Sequence, residues 1–230
     1  MTRPVRHPCT RGTVRGATLV EFTLVALLAL LPLALGVLQV ALLYTGRYVL
    51  DHATFLAARA GAVSHADRGT IERHLAKGLA PLRAGAREDI TTGNVLREGT
   101  RAYARAYVDV LRPDRMRLRI LNPTPASFAD FGRVRDGRLE IPLDLGQTFA
   151  AVGPRSGQTL ADATLLRLRV DYCQPLIVPL VDRATVAILR RFDPDPFHQA
   201  CYAARAVAIA AHALVQMHSP PRRAGMGSLG

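Results

Sequence analysis

The chain has 230 residues, of which 49% are hydrophobic and 6% aromatic, and it carries a formal net charge of +12 with a pI near 10.8. Its basic residues are dispersed through every segment, aromatic residues are scarce and no DNA- or RNA-binding motif occurs, which argues against a nucleic-acid-binding protein. We interpret these charges as solvated faces with some attraction to anionic lipid.

The first element is a long apolar segment behind a basic leader. Residues 22–46 carry no formal charge, and at about 1.5 Å per helical residue the stretch 22–43 spans roughly 33 Å, more than a hydrocarbon core of about 30 Å. The leader, residues 1–16, has four arginines and no acidic residue, which places it in the cytoplasm and the rest of the chain outside the inner membrane. A secretory signal has a shorter apolar stretch, so we predict a retained transmembrane helix over 17–46, bent near Leu28–Pro32.

Helical spacing continues beyond the apolar segment. Residues 47–62 place Val49, Ala53, Leu56 and Ala60 on one stripe, which predicts that the membrane helix extends outward as an amphipathic stalk. After a break at 64–69, the pattern predicts a helix over 70–82, capped at Thr70, and another over 95–111. Residues 84–94 between them are predicted to be a loop.

Past residue 112 the period changes to two. Apolar residues alternate with charged ones, mostly arginines, over 116–120 and again over 166–170, so we predict two half-buried strands of one sheet with a basic open face. The excursion 122–158 between them is rich in Pro, Gly and Asp, and its length predicts a binding element or a partly mobile loop. A short helix is predicted over 181–191.

The C-terminal part of the chain has two further segments. Residues 207–217 combine alanines, which favour helix, with an alternation that favours a strand. Beyond residue 219, Pro, Gly and Arg dominate, which predicts a disordered tail over 220–230. The expected organisation is therefore a leader over 1–16, a membrane helix over 17–46 and one α+β domain over 47–219.

The three cysteines are Cys9, Cys173 and Cys201. If the chain is cut after Gly16, Cys9 leaves with the leader, and the other two form one candidate disulfide in a compartment where disulfides persist. Two buried thiols are an alternative. A metal site that adds His198 is another, although three ligands without a second close pair fall short of zinc spacing.

The segment Arg15–Phe22, with Gly16 before Ala17 and a glutamate shortly after it, resembles a class III prepilin signal. The surrounding sequence resembles the TadE-like family of tight-adherence (Flp) pilus assembly proteins. The likeness extends to residues 122–124, 161–172, 175–179 and 215–220. It implies that a prepilin peptidase cuts between Gly16 and Ala17, which makes Glu21 the fifth mature residue and Phe22 the aromatic that often follows. The resemblance also favours a strand at 207–217.

Glu21 has a physical role in such a protein. Cleavage would create an ammonium group at Ala17, and both charges are costly among packed apolar helices unless they pair. Pairing between neighbouring subunits would set their axial stagger. The helix N-terminus offsets part of the cost within the same subunit. The alternative is that Glu21 snorkels to the headgroups and caps its own helix.

Enzyme motifs are missing from the sequence. In Gly153-Pro154-Arg155-Ser156-Gly157 the serine stands one place too late for a nucleophile elbow. His52, His65 and His74 fit no zinc motif, and no glycine-rich phosphate loop follows a predicted strand. We therefore expect a non-catalytic protein that has neither a cofactor nor a metal.

The resemblance implies a minor pilin or pseudopilin of the bacterial inner membrane with a pilin-like fold: a long transmembrane helix leading into helices and a short antiparallel sheet. Its N-terminus would be cytoplasmic and its domain periplasmic or extracellular, with possible incorporation into the pilus. Expected partners are the prepilin peptidase, other pilins or pseudopilins, the pilus assembly platform and the inner membrane. Two alternatives are an uncleaved signal-anchored envelope protein that binds a ligand through 122–158, and a pseudopilin of a type II secretion apparatus.

Overall fold

The computed structural model describes residues 17–84, 92–143 and 152–227. It is an α+β protein with a long N-terminal apolar helix, further helices and small antiparallel sheets, which confirms the predicted fold class. The helices are α1 (Ala17–Val25), α2 (Leu31–Val63), α3 (Arg68–Arg83), α4 (Thr92–Leu111), α5 (Pro125–Phe131), α6 (Leu160–Ala163), α7 (Val181–Phe192) and α8 (Pro196–Ala203). The strands are β1 (Met116–Asn122), β2 (Arg133–Arg135), β3 (Arg138–Glu140), β4 (Leu165–Pro175) and β5 (Ala206–Gln216).

The N-terminal helix is continuous from α1 to α2 through a π-helical segment, Ala26–Leu30. Pro32 lies in the first turn of α2 and cannot donate a backbone hydrogen bond, and a wider turn just before it accommodates the missing donor. The stretch Leu19–Val63 is long and apolar enough to cross a membrane. The irregularity coincides with the predicted bend near Leu28–Pro32.

The outer half of α2 packs against α3 through small residues. Ala53 lies directly beneath Gly78 of α3, where a Cβ atom would approach the Cα of Ala53 to 2.5 Å. The buried stripe of α2 is Leu50, Ala53, Thr54, Ala57, Ala58, Gly61 and Ala62. The predicted stripe was offset from it, because the close crossing of α3 selects the smallest side chains rather than the most apolar ones. Only Ala53 belongs to both.

The predicted helices start earlier than expected. Asp67, rather than Thr70, caps α3, because its carboxylate accepts a hydrogen bond from the backbone N–H of Thr70 at 2.8 Å. Helix α4 already includes Thr92, so the predicted loop over 84–94 is too long. Its residues 85–91 lie outside the described part of the chain.

A three-stranded antiparallel sheet in the order β1-β4-β5 forms the other layer. The two arginine-rich segments therefore share a sheet, as predicted, and the ambiguous segment 207–217 is a strand. One face of the sheet carries Leu118, Leu168 and Ala213, which are buried against the helices. The opposite face carries the arginines. The hydrophobic core thus lies between this apolar face and the outer part of the α2–α4 layer.

The excursion 122–158 is structured over its described residues. Helix α5 follows residue 124, and β2 and β3 form a small hairpin. A hydrogen bond joins the two ends of the excursion, since Gln158 Nε2 donates to Asn122 Oδ1 at 2.8 Å. A second bond connects α5 to the same glutamine, since Ser127 Oγ donates to Gln158 Oε1 at 2.6 Å. Residues 144–151 lie outside the described part of the chain. Polar side chains that cap turns, rather than apolar periodicity, order this stretch.

The predicted disordered tail is wrong for residues 220–227. Met226 is fully buried in the main core, and the N–H of Arg222 donates to the carbonyl of His65 at 3.1 Å. Arg222 also pairs with Glu140 of β3 at 3.3 Å. Pro221 is buried as well, and its carbonyl accepts from the N–H of Ile141 at 3.2 Å. These contacts hold the segment on the domain, although its composition resembles that of a disordered chain. Residues 228–230 lie outside the described part.

Candidate assembly site on the N-terminal helix

The inner half of the long helix presents an apolar surface around its circumference. Its large apolar side chains are exposed, and Phe22 has 69% of its surface accessible. The exposed residues are Leu19, Val20, Phe22, Leu24, Val25, Leu27, Leu28, Leu30, Leu31, Leu33, Val37 and Leu38. A helix that is apolar on all sides requires lipid or other apolar helices around it.

Glu21 lies on this apolar helix, one turn beyond Ala17, where the described helix begins. Residues four apart occupy the same helix face. The Glu21 side chain is exposed and forms no ion pair with any residue of the described ranges. Phe22 is adjacent and equally open. Gly16 and the leader lie outside the described residues, so the cleavage junction itself stays a prediction.

The domain begins to pack on the helix at Gln39. The backbone N–H of Val178 donates to Gln39 Oε1 at 3.0 Å, and this amide side chain is almost completely buried. One turn further out, Leu43 packs against Leu176 and Val186. The last residues of the predicted membrane segment 17–46 are therefore covered by the domain. A stretch of 22 residues, 17–38, extends free of it, and at about 1.5 Å per residue it is roughly 33 Å long.

In the sequence, the point where the domain begins to pack on the helix is indicated by a glutamine within the apolar segment. Gln39 is the only amide or charged side chain between residues 22 and 46. A polar amide within such a segment is costly unless it finds a partner. The sequence shows the irregularity but not the partner, because Val178 is 139 residues away.

A disulfide joins Cys173 of β4 to Cys201 of α8, with the two Cα atoms 5.3 Å apart. The structure thus pairs the two cysteines with each other rather than leaving them as thiols or metal ligands. His198 instead contacts Asp193, with Nδ1 2.6 Å from the carboxylate. Cys9 lies outside the described residues. The bond fastens α8 to the sheet beside the charged face.

The arginines of the sheet converge on one carboxylate. Asp171 of β4 is fully buried and accepts hydrogen bonds from Arg169 Nε at 2.9 Å, and from Arg117 Nε and Arg119 Nη2, each at 3.1 Å. Burial opposes ionisation of Asp171, but the hydrogen bonds and charges of Arg169 and Arg117 outweigh it and lower the pKa of the carboxyl. These arginines are structural partners rather than a solvated face.

Helix α8 extends this charged network. Asp195 accepts from Arg117 Nη2 at 3.1 Å and from the N–H of Phe197 at 2.8 Å, which lowers the pKa of Asp195 to about 2. The guanidinium of Arg117 lies 4.7 Å from the centre of the Phe197 ring. The alternation of Arg169 and Asp171 on one strand face was the sequence signal for such a network. The network and the disulfide support the domain and do not extend to the apolar helix.

Within the described residues, the geometry defines a protein with one candidate membrane helix, of which 17–38 is free and the remainder packs by one side on an α+β domain. Over residues 16–59 the chain is TadE-like: the family model TadE, described as TadE-like protein, matches these residues. This match confirms the resemblance that the sequence predicted. No curated protein and no solved structure matches the chain.

The match covers the free helix and the part of α2 that packs on the domain. The likeness to TadE-like proteins over these residues implies involvement in tight-adherence pilus assembly, and the apolar helix suggests a single-pass membrane protein associated with pilus components. The more distal segments of the resemblance lie beyond the matched residues. In the structure these segments are joined to one another by hydrogen bonds. Asn122 Nδ2 donates to the carbonyl oxygen of Asp162 at 2.7 Å, and the N–H of Met217 donates to the carbonyl oxygen of Thr164 at 3.0 Å.

Proposed function

We propose that this protein is a minor pilin or pseudopilin, cleaved by a prepilin peptidase between Gly16 and Ala17, that supports assembly of a tight-adherence (Flp-type) pilus. Its role is structural rather than catalytic, and it needs no cofactor. The observation that carries the proposal is the free apolar helix with a single carboxylate, Glu21, near its end, in a segment that matches the TadE-like model from residue 16.

The free helix is the natural surface for subunit contacts. In the membrane, lipid surrounds its exposed side chains; in an assembly, neighbouring helices replace the lipid through close packing. Because the domain reaches only to Gln39, about 33 Å of helix is accessible to neighbours without interference from the domain. The protein can therefore pack helix to helix over the full apolar length.

Glu21 would specify how those helices align. Peptidase cleavage leaves an ammonium at Ala17, and a carboxylate of one subunit that pairs with the ammonium of the next neutralises both charges in an apolar surrounding. Such a pair exists only at one axial offset between the helices. Glu21 thereby selects the stagger of neighbouring subunits.

Intact-mass measurement of protein from native membranes tests the processing step. We expect the chain to begin at Ala17 in cells that have the peptidase, and to keep residues 1–16 in cells that lack it. Replacement Gly16→Leu should retain the leader. Gly36→Ala is the control, because a Cβ at Gly36 meets no atom within 4 Å and lies away from the junction. An intact leader in peptidase-containing cells would favour the uncleaved envelope protein instead.

A charge-removing substitution tests the assembly step. Glu21→Gln keeps the size of the side chain and should leave membrane insertion and processing unchanged while it reduces the number of surface pili. Glu98→Gln is the matched control, because Glu98 is a partly exposed residue of α4 whose ion-pair partner among the described residues is the neighbouring Arg101. Wild-type piliation in a strain whose only copy carries Glu21→Gln would count against the role of Glu21.

A further inference from the structure

We propose that α7 and the loop before it rest on the bilayer surface and fix the height and orientation of the domain above the membrane. The contact surface is an interfacial ridge formed by Ile177, Leu180, Ile188 and Phe192, and its occupant is a lipid interface with anionic headgroups. The inference requires the helix to span the membrane, and it is independent of leader processing and pilus assembly.

The path of the chain beyond β4 places the ridge at membrane level. Gln174 lies against Gly46, where an added Cβ would come within 2.8 Å of its Cδ atom. Leu176 packs on Leu43, which is one turn nearer the N-terminus. Val178 then bonds to Gln39.

Each step along residues 174–178 thus descends the helix toward its free half. The loop over 177–180 lies at the level where the free helix ends. With residues 17–38 covering roughly 33 Å, this level coincides with the boundary of a hydrocarbon core about 30 Å thick.

The four side chains of the ridge are largely exposed to solvent, which is unusual for large apolar residues of a folded domain. The accessible fractions are 68% for Ile177, 68% for Leu180, 60% for Ile188 and 76% for Phe192. Ile188 and Phe192 are four residues apart and share a helix face. Exposed apolar side chains grouped on one short segment at this position indicate a membrane or protein contact.

Helix α7 has a separate face for the domain. Asp182 and Val186 are buried, and Leu189 is half-buried against the core that includes Leu43. The two ridge residues within the helix, Ile188 and Phe192, lie on another side of it, so packing on the domain does not bury them. The helix is therefore held by one face and presents a second, apolar face outward.

The charges around the ridge favour lipid over a second copy of the chain. The exposed charged residues of α7 are Arg183, Arg190 and Arg191, and the single acidic residue of this helix, Asp182, is buried. Two such faces would repel each other, whereas anionic headgroups attract them, by about 1 kcal/mol per basic residue near the surface. Of these three, Arg191 lies beside the face of Ile188 and Phe192. Basic residues beside an apolar face are typical of interfacial helices.

The long helix supplies an interfacial signal just beyond this level. Tyr44 and Tyr48 are both largely exposed, and they lie between one and three turns beyond Gln39. Tyrosine is enriched at membrane–water interfaces, where its ring contacts the acyl boundary and its hydroxyl contacts water. Tyr44 therefore adds a residue suited to the interface on the long helix itself, apart from the ridge.

The chain has no tryptophan, so single tryptophans report on each position of the full-length protein in vesicles of phosphatidylethanolamine and phosphatidylglycerol. Ile188→Trp probes the ridge, Leu28→Trp probes the span, and Val134→Trp on the β2–β3 hairpin is the water-exposed control. Quenching is measured with lipids that carry a nitroxide either high or low on the acyl chain.

We expect strong quenching of Leu28→Trp by the deep nitroxide, and a blue shift of Ile188→Trp with preferential quenching by the shallow one. This pattern corresponds to burial about 5–10 Å into the headgroup boundary. Val134→Trp should show neither effect. Adding Arg190→Glu and Arg191→Glu should weaken the quenching of Ile188→Trp.

Three outcomes overturn the inference, and each points to a different cause. If Leu28→Trp is quenched but Ile188→Trp behaves like Val134→Trp, the helix spans the membrane and the ridge does not touch it. If neither Leu28→Trp nor Ile188→Trp is quenched, the membrane span itself is wrong. A blue shift of Ile188→Trp that lipid nitroxides do not quench, and that disappears on dilution into excess lipid, would assign the ridge to contacts between copies.

Discussion

The close crossing of α2 and α3 predicts that two glycine-to-alanine substitutions have opposite effects on stability. Gly78 of α3 faces Ala53 of α2, and a Cβ placed on Gly78 would lie 2.5 Å from the Cα and 2.6 Å from the Cβ of Ala53. Neither atom belongs to a flexible side chain, so Gly78→Ala must push the two helices apart. Gly99 of α4 is exposed, and a Cβ there meets no atom within 4 Å.

The magnitudes follow from two competing effects. Overpacking a tight core site costs about 1–3 kcal/mol, while replacing a helical glycine by alanine gains about 0.5–1 kcal/mol. Gly78→Ala should therefore lower the free energy of unfolding, by about 1 kcal/mol from the midpoints of the two ranges and by about 2.5 kcal/mol at most. Gly99→Ala receives only the gain. At about 2–4 °C per kcal/mol for a domain of this size, the Tm should fall by about 2–4 °C for the first variant and rise by about 1–4 °C for the second.

Thermal unfolding of the full-length protein in detergent micelles, followed by circular dichroism, measures both changes. The comparison is internally controlled, because both variants exchange a helical glycine for alanine. A rise in Tm for Gly78→Ala equal to that of Gly99→Ala would show that α2 and α3 are not in such close contact. The helix crossing described above would then be refuted.

Three further perturbations test the charged network and the disulfide. Asp171→Asn leaves the surrounding guanidinium groups without their carboxylate. Breaking a buried pair costs about 3–5 kcal/mol, and because these arginines are about one-third exposed we expect a smaller loss of about 2–3 kcal/mol in urea titrations. An unchanged urea midpoint would contradict this role. The pKa values of Asp171 and Asp195 are both lowered, so the stability these groups contribute is present above their ordinary pKa of about 3.8 and is lost as the pH falls through their folded pKa values, which for Asp195 is about 2. Unfolding free energies measured from neutral to acidic pH should therefore decrease below about pH 4, and a flat profile would be inconsistent with it. Cys173→Ser should lower the free energy of unfolding by about 3–4 kcal/mol, because the bond to Cys201 closes a loop with a sequence separation of 28. On a non-reducing gel, dithiothreitol should change the mobility of the wild-type protein. Equal mobility of wild type and Cys173→Ser without reductant would argue against the bond.

Elements carried by consecutive residues were predictable. The apolar helix, the alternating strands β1 and β4 and the short helix α7 each follow from a period that a local window contains. Helix α8 was missed, although Asp195 followed by Pro196 is a recognisable helix start, with an N-cap acceptor and a proline in the first turn. The predicted strand over 207–217 depended on family resemblance, since its alanines fit either conformation.

The residues of the candidate site were likewise predictable where the signal lies in neighbouring residues, and not predictable where it depends on distant contacts. Glu21 and Phe22 stand out in the sequence because a charge at the edge of a long apolar run is conspicuous, and the structure places both on the free half of the helix. The pairing of the arginines with Asp171 did not stand out. Alternation alone assigns them to an open face, and only the tertiary structure places α8, fastened by Cys201, beside that face, where Asp195 pairs with Arg117.

The amino-acid order alone specified a membrane-length apolar helix, a carboxylate at its inner end and an α+β domain beyond it, because hydropathy and side-chain period are properties of neighbouring residues. Tertiary structure decided where the domain meets the helix, through Gln39 and Val178, and which face of α7 stays uncovered. It also ordered residues 220–227 around Met226. These features depend on contacts between residues far apart in the chain, and such contacts form only when the packed elements bring them together.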